Sequence, residues 1–312
     1  MATEAFDRRR IPQGARLSTW AAPDGWVLRR LDRRQPEGAP ARGSLLFAGG
    51  RGDFIEKYLE AQDHWFARGW NVTAFDWRGQ GGSRGGIEGG HLDSFDPLVD
   101  DLAALIEDWR RTAPRPHAAI GHSMGGHVLL RTLAERRPKL DAAVLVAPML
   151  AINSAPLPPT AAAWTASLMT MSGWGRHPAW HQPSGSGAAG SPRQTYLTSC
   201  LERYADELWW WEKEPGFDLG APSWGWLKAA YASCAKLTPE ALRTVAAPVL
   251  LLGTDADRLV SPDAIRRAAA LLPDAELLMF PDAAHELLRE ADSVRLPALA
   301  RIDAFLDARA GR

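Results

Sequence analysis

Residues 117–136 read HAAIGHSMGGHVLLRTLAER, and this stretch decides the fold. The first five residues, HAAIG at 117–121, form a short apolar run of strand length. The segment from His127 to Arg136 has helical spacing. Between them lies Gly121-His122-Ser123-Met124-Gly125, a G-x-S-x-G motif in a strand–turn–helix setting. Glycines at both ends let the chain turn sharply, and the turn holds the Ser123 hydroxyl out at the C-terminal edge of a sheet. A serine there is a candidate nucleophile rather than an ordinary turn residue.

A serine hydroxyl is a weak nucleophile and needs a base that is itself oriented by an acid. Two later strand-like runs lead into suitable loops. PVLLL at 248–252 runs into Gly253-Thr254-Asp255-Ala256-Asp257-Arg258, and ELLMF at 276–280 runs into Pro281-Asp282-Ala283-Ala284-His285. Of the eight histidines, only His285 occupies such a position. Asp255 and Asp257 are both candidate acids. Asp257 is favoured because it leads directly into Arg258-Leu259-Val260 and the next helix, with Asp255 as a turn residue bonding its own backbone. An oxyanion needs two N–H donors. Met124 follows the nucleophile, and Arg51 lies in Gly49-Gly50-Arg51-Gly52 after the run SLLFA at 44–48. That glycine-rich turn does not fit the phosphate-binding patterns GxxxxGK[ST] or GxGxxG.

The same alternation extends over much of the 312-residue chain. Further strand candidates are NVTAFD at 71–76 and AVLVA at 143–147. Helical periodicity links Ile55, Tyr58, Leu59, Trp65 and Phe66, then Leu98, Leu102, Leu105 and Trp109, and finally Leu299, Ile302, Phe305 and Leu306. Strands alternating with helices imply an α/β fold with a mainly parallel sheet covered on both faces. Pro23-Asp24-Gly25 predicts an antiparallel entry hairpin. The alternation stops near residue 148 and resumes near 248. This divides the chain into a core of residues 1–147 and 248–312 and an inserted helical cap at 148–247. The insertion holds eight of the 14 tryptophans, and between Ala142 and Leu201 its only charged residues are Arg176 and Arg193. Trp164, Leu168 and Met171 suggest a helix, and Gly185–Pro192 a loop. The tryptophans admit two readings: the core of a small subdomain, or a surface for acyl chains or a membrane interface.

Lys+Arg number 36 against Asp+Glu 37, a net charge of −1 that argues against a nucleic-acid partner. Cys200 and Cys234 have no metal-site spacing and read as free thiols, with a single bridge between them left open. His177 and His181 lie beside Pro178 and Pro183, an unsuitable helical setting for metal ligands, so neither a metal nor a cofactor is expected. The amino-terminal sequence lacks the apolar core of a secretory signal, and no run of 18 or more apolar residues occurs. The expectation is a cytoplasmic protein, with peripheral membrane contact through the cap left open. Asp76 and Arg78 read as structural.

The assembled motifs resemble the serine hydrolases of the α/β-hydrolase fold, and among them the lysophospholipase L2 and monoacylglycerol lipase-like group of serine aminopeptidase S33 type. The resemblance rests on Gly50-Arg51, FIEKY at 54–58, DWRGQG at 76–81, GHSMGGH at 121–127, Ala147-Pro148-Met149 and His285-Glu286-Leu287. In the cap, Leu197-Thr198, Arg203-Tyr204, Pro222 and Gly225-Trp226 are also similar. It implies a triad of Ser123, Asp257 and His285 with Arg51 and Met124 as oxyanion donors, the residues reached above. Two departures stand out: Gly49-Gly50 where many members have His-Gly, and Cys200 where an aspartate is expected.

The implied reaction is hydrolysis of a lipid-like acyl ester, a lysophospholipid or monoacylglycerol, through an acyl-enzyme. A histidine base predicts activity that falls as pH drops through about 6–7. The alternatives are an aminopeptidase of proline iminopeptidase type, a small-ester or thioester hydrolase, and a non-catalytic binding protein on the same scaffold. A carboxylate nucleophile, as in haloalkane dehalogenases and epoxide hydrolases, is disfavoured by Ser123.

Overall fold

A computed structural model describes residues 6–181 and 187–310. Its eight-stranded sheet has the order β1-β2-β4-β3-β5-β6-β7-β8. The entry strands β1 (Ala15–Ala21) and β2 (Val27–Arg33) form the hairpin expected at Pro23-Asp24-Gly25, and β2 runs antiparallel to β4 (Trp70–Phe75). The remaining pairings, among β4, β3 (Gly43–Ala48), β5 (His117–His122), β6 (Ala142–Val146), β7 (Val249–Thr254) and β8 (Ala275–Phe280), are parallel.

Alternate side chains of the central strands feed two separate cores, one on each face. Leu46, Ala48, Ala143, Leu145, Val249 and Leu251 enter one core. It also holds α2 (Asp96–Thr112), α3 (Met124–Glu135) and α9 (Pro262–Leu271). Leu45, Phe47, Val144, Leu250 and Leu252 enter the other, under α1 (Leu59–Phe66) and α10 (Asp292–Ala310). Because the strands are parallel, the loops after β3, β5, β7 and β8 leave from the same edge, and the candidate site forms there.

Between β6 and β7 lie α4 (Pro159–Met169), α5 (Pro192–Leu197), α6 (Leu201–Lys213), α7 (Trp224–Ala235) and α8 (Pro239–Arg243). Helix α4 packs on α7, whereas α8 contacts α3 and α9 of the core layer. Gly185 and Ser186 of the expected loop lie outside the described residues, and Pro192 starts α5 instead of closing that loop.

The tryptophans do not act as one set. Trp164, Trp174 and Trp180 are exposed, with Leu168 and Met171 beside them. Trp226 is buried in the core against Phe95. Trp210 is half-buried and donates to the Arg8 carbonyl. The periodic Trp164-Leu168-Met171 set therefore faces solvent. Met171 lies beyond α4 in a distorted turn, Thr170–Trp174, where Gly173 has φ +91°.

Other departures are local. The helix after Ser123 starts at Met124 rather than His127, since the elbow feeds it without a linker. The periodic run from Ile55 to Phe66 is split into a 3₁₀ turn, Ile55–Tyr58, and α1. Both cysteines are free. No helix of the described residues is long and apolar enough to cross a membrane.

Candidate active site

Ser123 sits between β5 and α3 with φ +50° and ψ −115°, a conformation rarely adopted by residues other than glycine. The surrounding backbone holds it there. Its N–H donates to Val146, and its carbonyl accepts from His127 and Met149. A Cβ on Gly125 would lie 2.3 Å from the carbonyl oxygens of Ala48 and Gly49, and one on Gly121 would lie 2.7 Å from Gly126 Cα. The motif's two glycines are thus required for α3 to approach β3 and β5.

Ser123 Oγ lies 2.8 Å from His285 Nε2, and His285 Nδ1 lies 2.7 Å from Asp257 Oδ2. The carboxylate only accepts, so Nδ1 carries the proton and Nε2 is left to accept from the serine hydroxyl. The other Asp257 oxygen accepts from the Leu259 and Val260 N–H groups at 2.8 and 3.0 Å. Burial works against ionised Asp257. His285 and those two N–H groups outweigh it and hold the carboxyl below its ordinary value. Burial also works against protonated His285, but the charge and hydrogen bond of Asp257 outweigh it, with help from Glu286 and Asp53, so its pKa is raised. Asp255 is half-exposed on the opposite side of the turn and pairs with Arg266 of α9. Of the two candidate acids, the structure brings Asp257 to His285.

The loop after β3 lies against Ser123: a Cβ on Gly50 would be 3.0 Å from Ser123 Cβ. The Gly50 N–H donates to Asp53 at 2.5 Å and the Gly52 N–H to Gln80 at 2.6 Å. The Arg51 N–H between them meets no acceptor among the described residues. The same is true of the Met124 N–H at the start of α3. Trp77 Nε1 donates to the Gly49 carbonyl, bracing the loop from behind. The DWRGQG stretch thus supports this loop through Trp77 and Gln80, while Asp76 and Arg78 hold structure. Asp76 accepts from the Ile55 and Gly82 N–H groups, and Arg78 is paired with Asp101 and Asp24.

A buried charge cluster went unread in the sequence. Lys57 Nζ lies 2.8 Å from Asp53, 3.3 Å from Glu207 of α6 and 2.6 Å from Glu286, next to His285. Arg289 pairs with both Glu207 and Glu286, and Arg193 with Glu207. Burial disfavours the Lys57 ammonium, yet the three carboxylates raise its pKa, and they remain ionised in turn. The FIEKY motif was the available signal, because it places a lysine one turn from Asp53.

Tyr196 and Leu197 of α5 accept through their carbonyls from the His285 and Glu286 N–H groups. A cavity of about 510 Å³ opens over Ser123, with Met149, Ile152, Leu197, Trp211, Leu219 and Trp226 among its apolar walls. This is the size expected for a small-molecule site. His181 lines it without a metal-ligating partner set. Among the described residues, no group of three His, Cys, Asp or Glu side chains converges for a metal.

Sheet order, elbow and hydrogen-bonded Ser–His–Asp arrangement together define the chain as a hydrolase of the α/β-hydrolase fold. The family model for serine aminopeptidase, S33 matches residues 39–292, and the chain belongs to that family. The probable lysophospholipase L2 of Haemophilus influenzae is 30% identical over 283 residues, covering 88% of this chain and 86% of that protein. Lysophospholipase L2 of Escherichia coli K12 is 28% identical over 279 residues, covering 84% and 80% respectively. A soluble variant of the monoglyceride lipase of Saccharomyces cerevisiae, in complex with a substrate analogue, shares the fold. Its TM-score is 0.75 at 17% identity, covering 99% of this chain and all of that one.

Two outcomes are expected. If neutral His285 is the base, kcat/KM falls on acidification with a midpoint above the ordinary histidine value of about 6.5, since the folded site favours the protonated ring. A profile flat to pH 5 would exclude this role. Lys57→Met strips the cation from three buried carboxylates and should cost about 3–5 kcal/mol in urea unfolding. A loss below 1 kcal/mol would show that the cluster is relaxed by other groups.

Proposed function

We propose that this chain hydrolyses the carboxylic ester of a lipid-like substrate, a lysophospholipid or a monoacylglycerol, through an acyl-enzyme. The observation that carries the reading is the Ser123–His285–Asp257 chain opening on a deep, mainly apolar cavity. The names of the lysophospholipase relatives support the lipid assignment.

Ser123 Oγ attacks the acyl carbonyl as its proton passes to His285 Nε2. Negative charge gathers on the carbonyl oxygen, within reach of the Arg51 and Met124 N–H groups; one such donor is worth about 3 kcal/mol. Asp257 holds the imidazole tautomer and stabilises the imidazolium. The tetrahedral intermediate then collapses, breaking the bond to the alcohol oxygen, which takes the proton from His285. Water gives a proton to His285, attacks the acyl-enzyme and releases the fatty acid, and Ser123 recovers its proton.

An aminopeptidase would need a free carboxylate in the cavity for the substrate ammonium. The lining carboxylates Asp53 and Glu286 are already held by Lys57, and Asp218 is exposed. This favours the ester reading over the aminopeptidase reading.

Within this proposal, residues 148–247 act as a cap whose exposed Trp164, Leu168 and Met171 meet a lipid surface peripherally. The adjacent tryptophans Trp209–Trp211 are poorer candidates. Trp209 lies against Arg9 and Lys213, Trp210 packs on the core, and Trp211 lines the cavity.

Wild-type protein should release palmitate from 1-palmitoyl lysophosphatidylcholine or 1-palmitoylglycerol, and Ser123→Ala should lower that rate by at least about a thousandfold. Hydrolysis of p-nitrophenyl butyrate without release from either lipid would remove the lipid assignment. Replacing Trp164 and Leu168 together by serine should weaken co-sedimentation with phosphatidylcholine–phosphatidylglycerol vesicles by about tenfold. Equal co-sedimentation would remove that surface from the proposal.

A further inference from the structure

Three cationic side chains line the cavity over Ser123: Arg51, Lys57 and Arg193. Two are neutralised in place. Lys57 has Asp53, Glu207 and Glu286, and Arg193 has Glu207 at 2.6 Å. Arg51 is different. Its guanidinium lies over the Trp226 ring, 5.3 Å from the centroid, and donates to two backbone carbonyls, Gly89 at 2.9 Å and Gly220 at 3.0 Å. No carboxylate among the described residues forms an ion pair with it, and its Nε is buried with no hydrogen-bond partner. Asp218, the acidic group whose charge acts on it, is exposed and accepts instead from the Gly220 N–H.

A guanidinium offers five N–H donors in a planar fork, and the two carbonyl bonds leave most of them free. Burial and the like charge of Arg193 lower its pKa to about 10, so it is still a cation at neutral pH. A half-buried cation with no ion-paired carboxylate carries a desolvation cost, and an arriving anion would offset it.

We propose that the Arg51 side chain is an anion subsite that receives the phosphate of a lysophospholipid headgroup. In this arrangement the backbone N–H of the same residue faces the acyl oxygen. The proposal deepens, and rests on, the lipid-ester reading above. The spans agree. As many covalent bonds separate the arginine backbone nitrogen from Cζ as separate the acyl carbonyl carbon of a 1-acyl lysophospholipid from its phosphorus. The fork suits two phosphate oxygens at once. A monoacylglycerol brings only a hydroxyl to that place and leaves the cation uncompensated, so Arg51 selects the phospholipid over the neutral glyceride.

The test compares kcat/KM for 1-palmitoyl lysophosphatidylcholine and 1-palmitoylglycerol in wild type, Arg51→Met and Arg51→Lys. The phospholipid-to-glyceride ratio should fall about tenfold or more in the methionine variant and recover in part with lysine. Losing the contacts to Gly89 and Gly220 slows both substrates alike, so the ratio isolates the anion contact. An unchanged ratio overturns the proposal. If thermal unfolding shows the methionine variant unfolded, Arg51→Gln takes its place. If the wild type cleaves p-nitrophenyl butyrate but neither lipid, the lipid reading fails, and glycerol 3-phosphate as inhibitor of that cleavage judges the subsite. Inhibition that weakens severalfold without the guanidinium sustains an anion site for another phosphate ester. Equal inhibition in both proteins, or none in either, overturns it.

Discussion

The site is organised around one buried ammonium group. Lys57 Nζ is held by carboxylates from three separate parts of the chain: Asp53 after β3, Glu207 on α6 and Glu286 beside His285. Each carboxylate also fixes something the chemistry needs. Asp53 accepts from the Gly50 N–H and so shapes the loop after β3. Glu286 anchors the loop that carries His285, and Glu207 ties α6 to both. Arg193 and Arg289 supply the remaining positive charge, so three cations meet three carboxylates, all but the partly exposed Arg193 buried away from water. Such a cluster gains little stability over apolar packing, but it tolerates few alternative arrangements because any misplaced member leaves a bare charge.

A second constraint comes from the backbone at Ser123. Its positive φ is held by hydrogen bonds to β6 and to the segment after it, and by glycines that admit α3 against β3. The hydroxyl is aimed by the fold itself, and the same turn leaves the Met124 N–H without an intrahelical acceptor because the helix begins there. One strained residue thus sets the candidate nucleophile and one candidate oxyanion donor together.

These constraints were unequally legible in the sequence. The parallel sheet was readable because its central strands β3, β5, β6 and β7 are short, apolar and buried on both faces, and Ser123, Asp257 and His285 were readable because strand ends put them at one edge. The choice between Asp257 and Asp255 turned on the direction of the following chain, and the structure sends Asp255 outward to Arg266. The charge cluster left only the FIEKY motif as a signal, for a physical reason: a lysine and an aspartate four residues apart look like a solvated helix face until tertiary packing removes the water. The cap tryptophans were ambiguous because composition records how many aromatics a segment has, not which face they occupy. Trp226 fills core while Trp164 meets solvent.

Charge balance explains why Arg51 is the distinctive member of this cavity. The cluster around Lys57 is already neutral, and in the proposed reaction the Ser123–His285–Asp257 set gains an imidazolium only while it creates an oxyanion. Neither can neutralise a further fixed cation. In the proposed reaction Arg51 has no ion-paired carboxylate, only the field of the exposed Asp218, and is braced by two carbonyls that orient the guanidinium without cancelling it. Dipoles of that kind fix direction at small electrostatic cost to an incoming anion, whereas a carboxylate in the same place would compete with it. An enzyme acting only on neutral esters would gain nothing from holding a cation in this state.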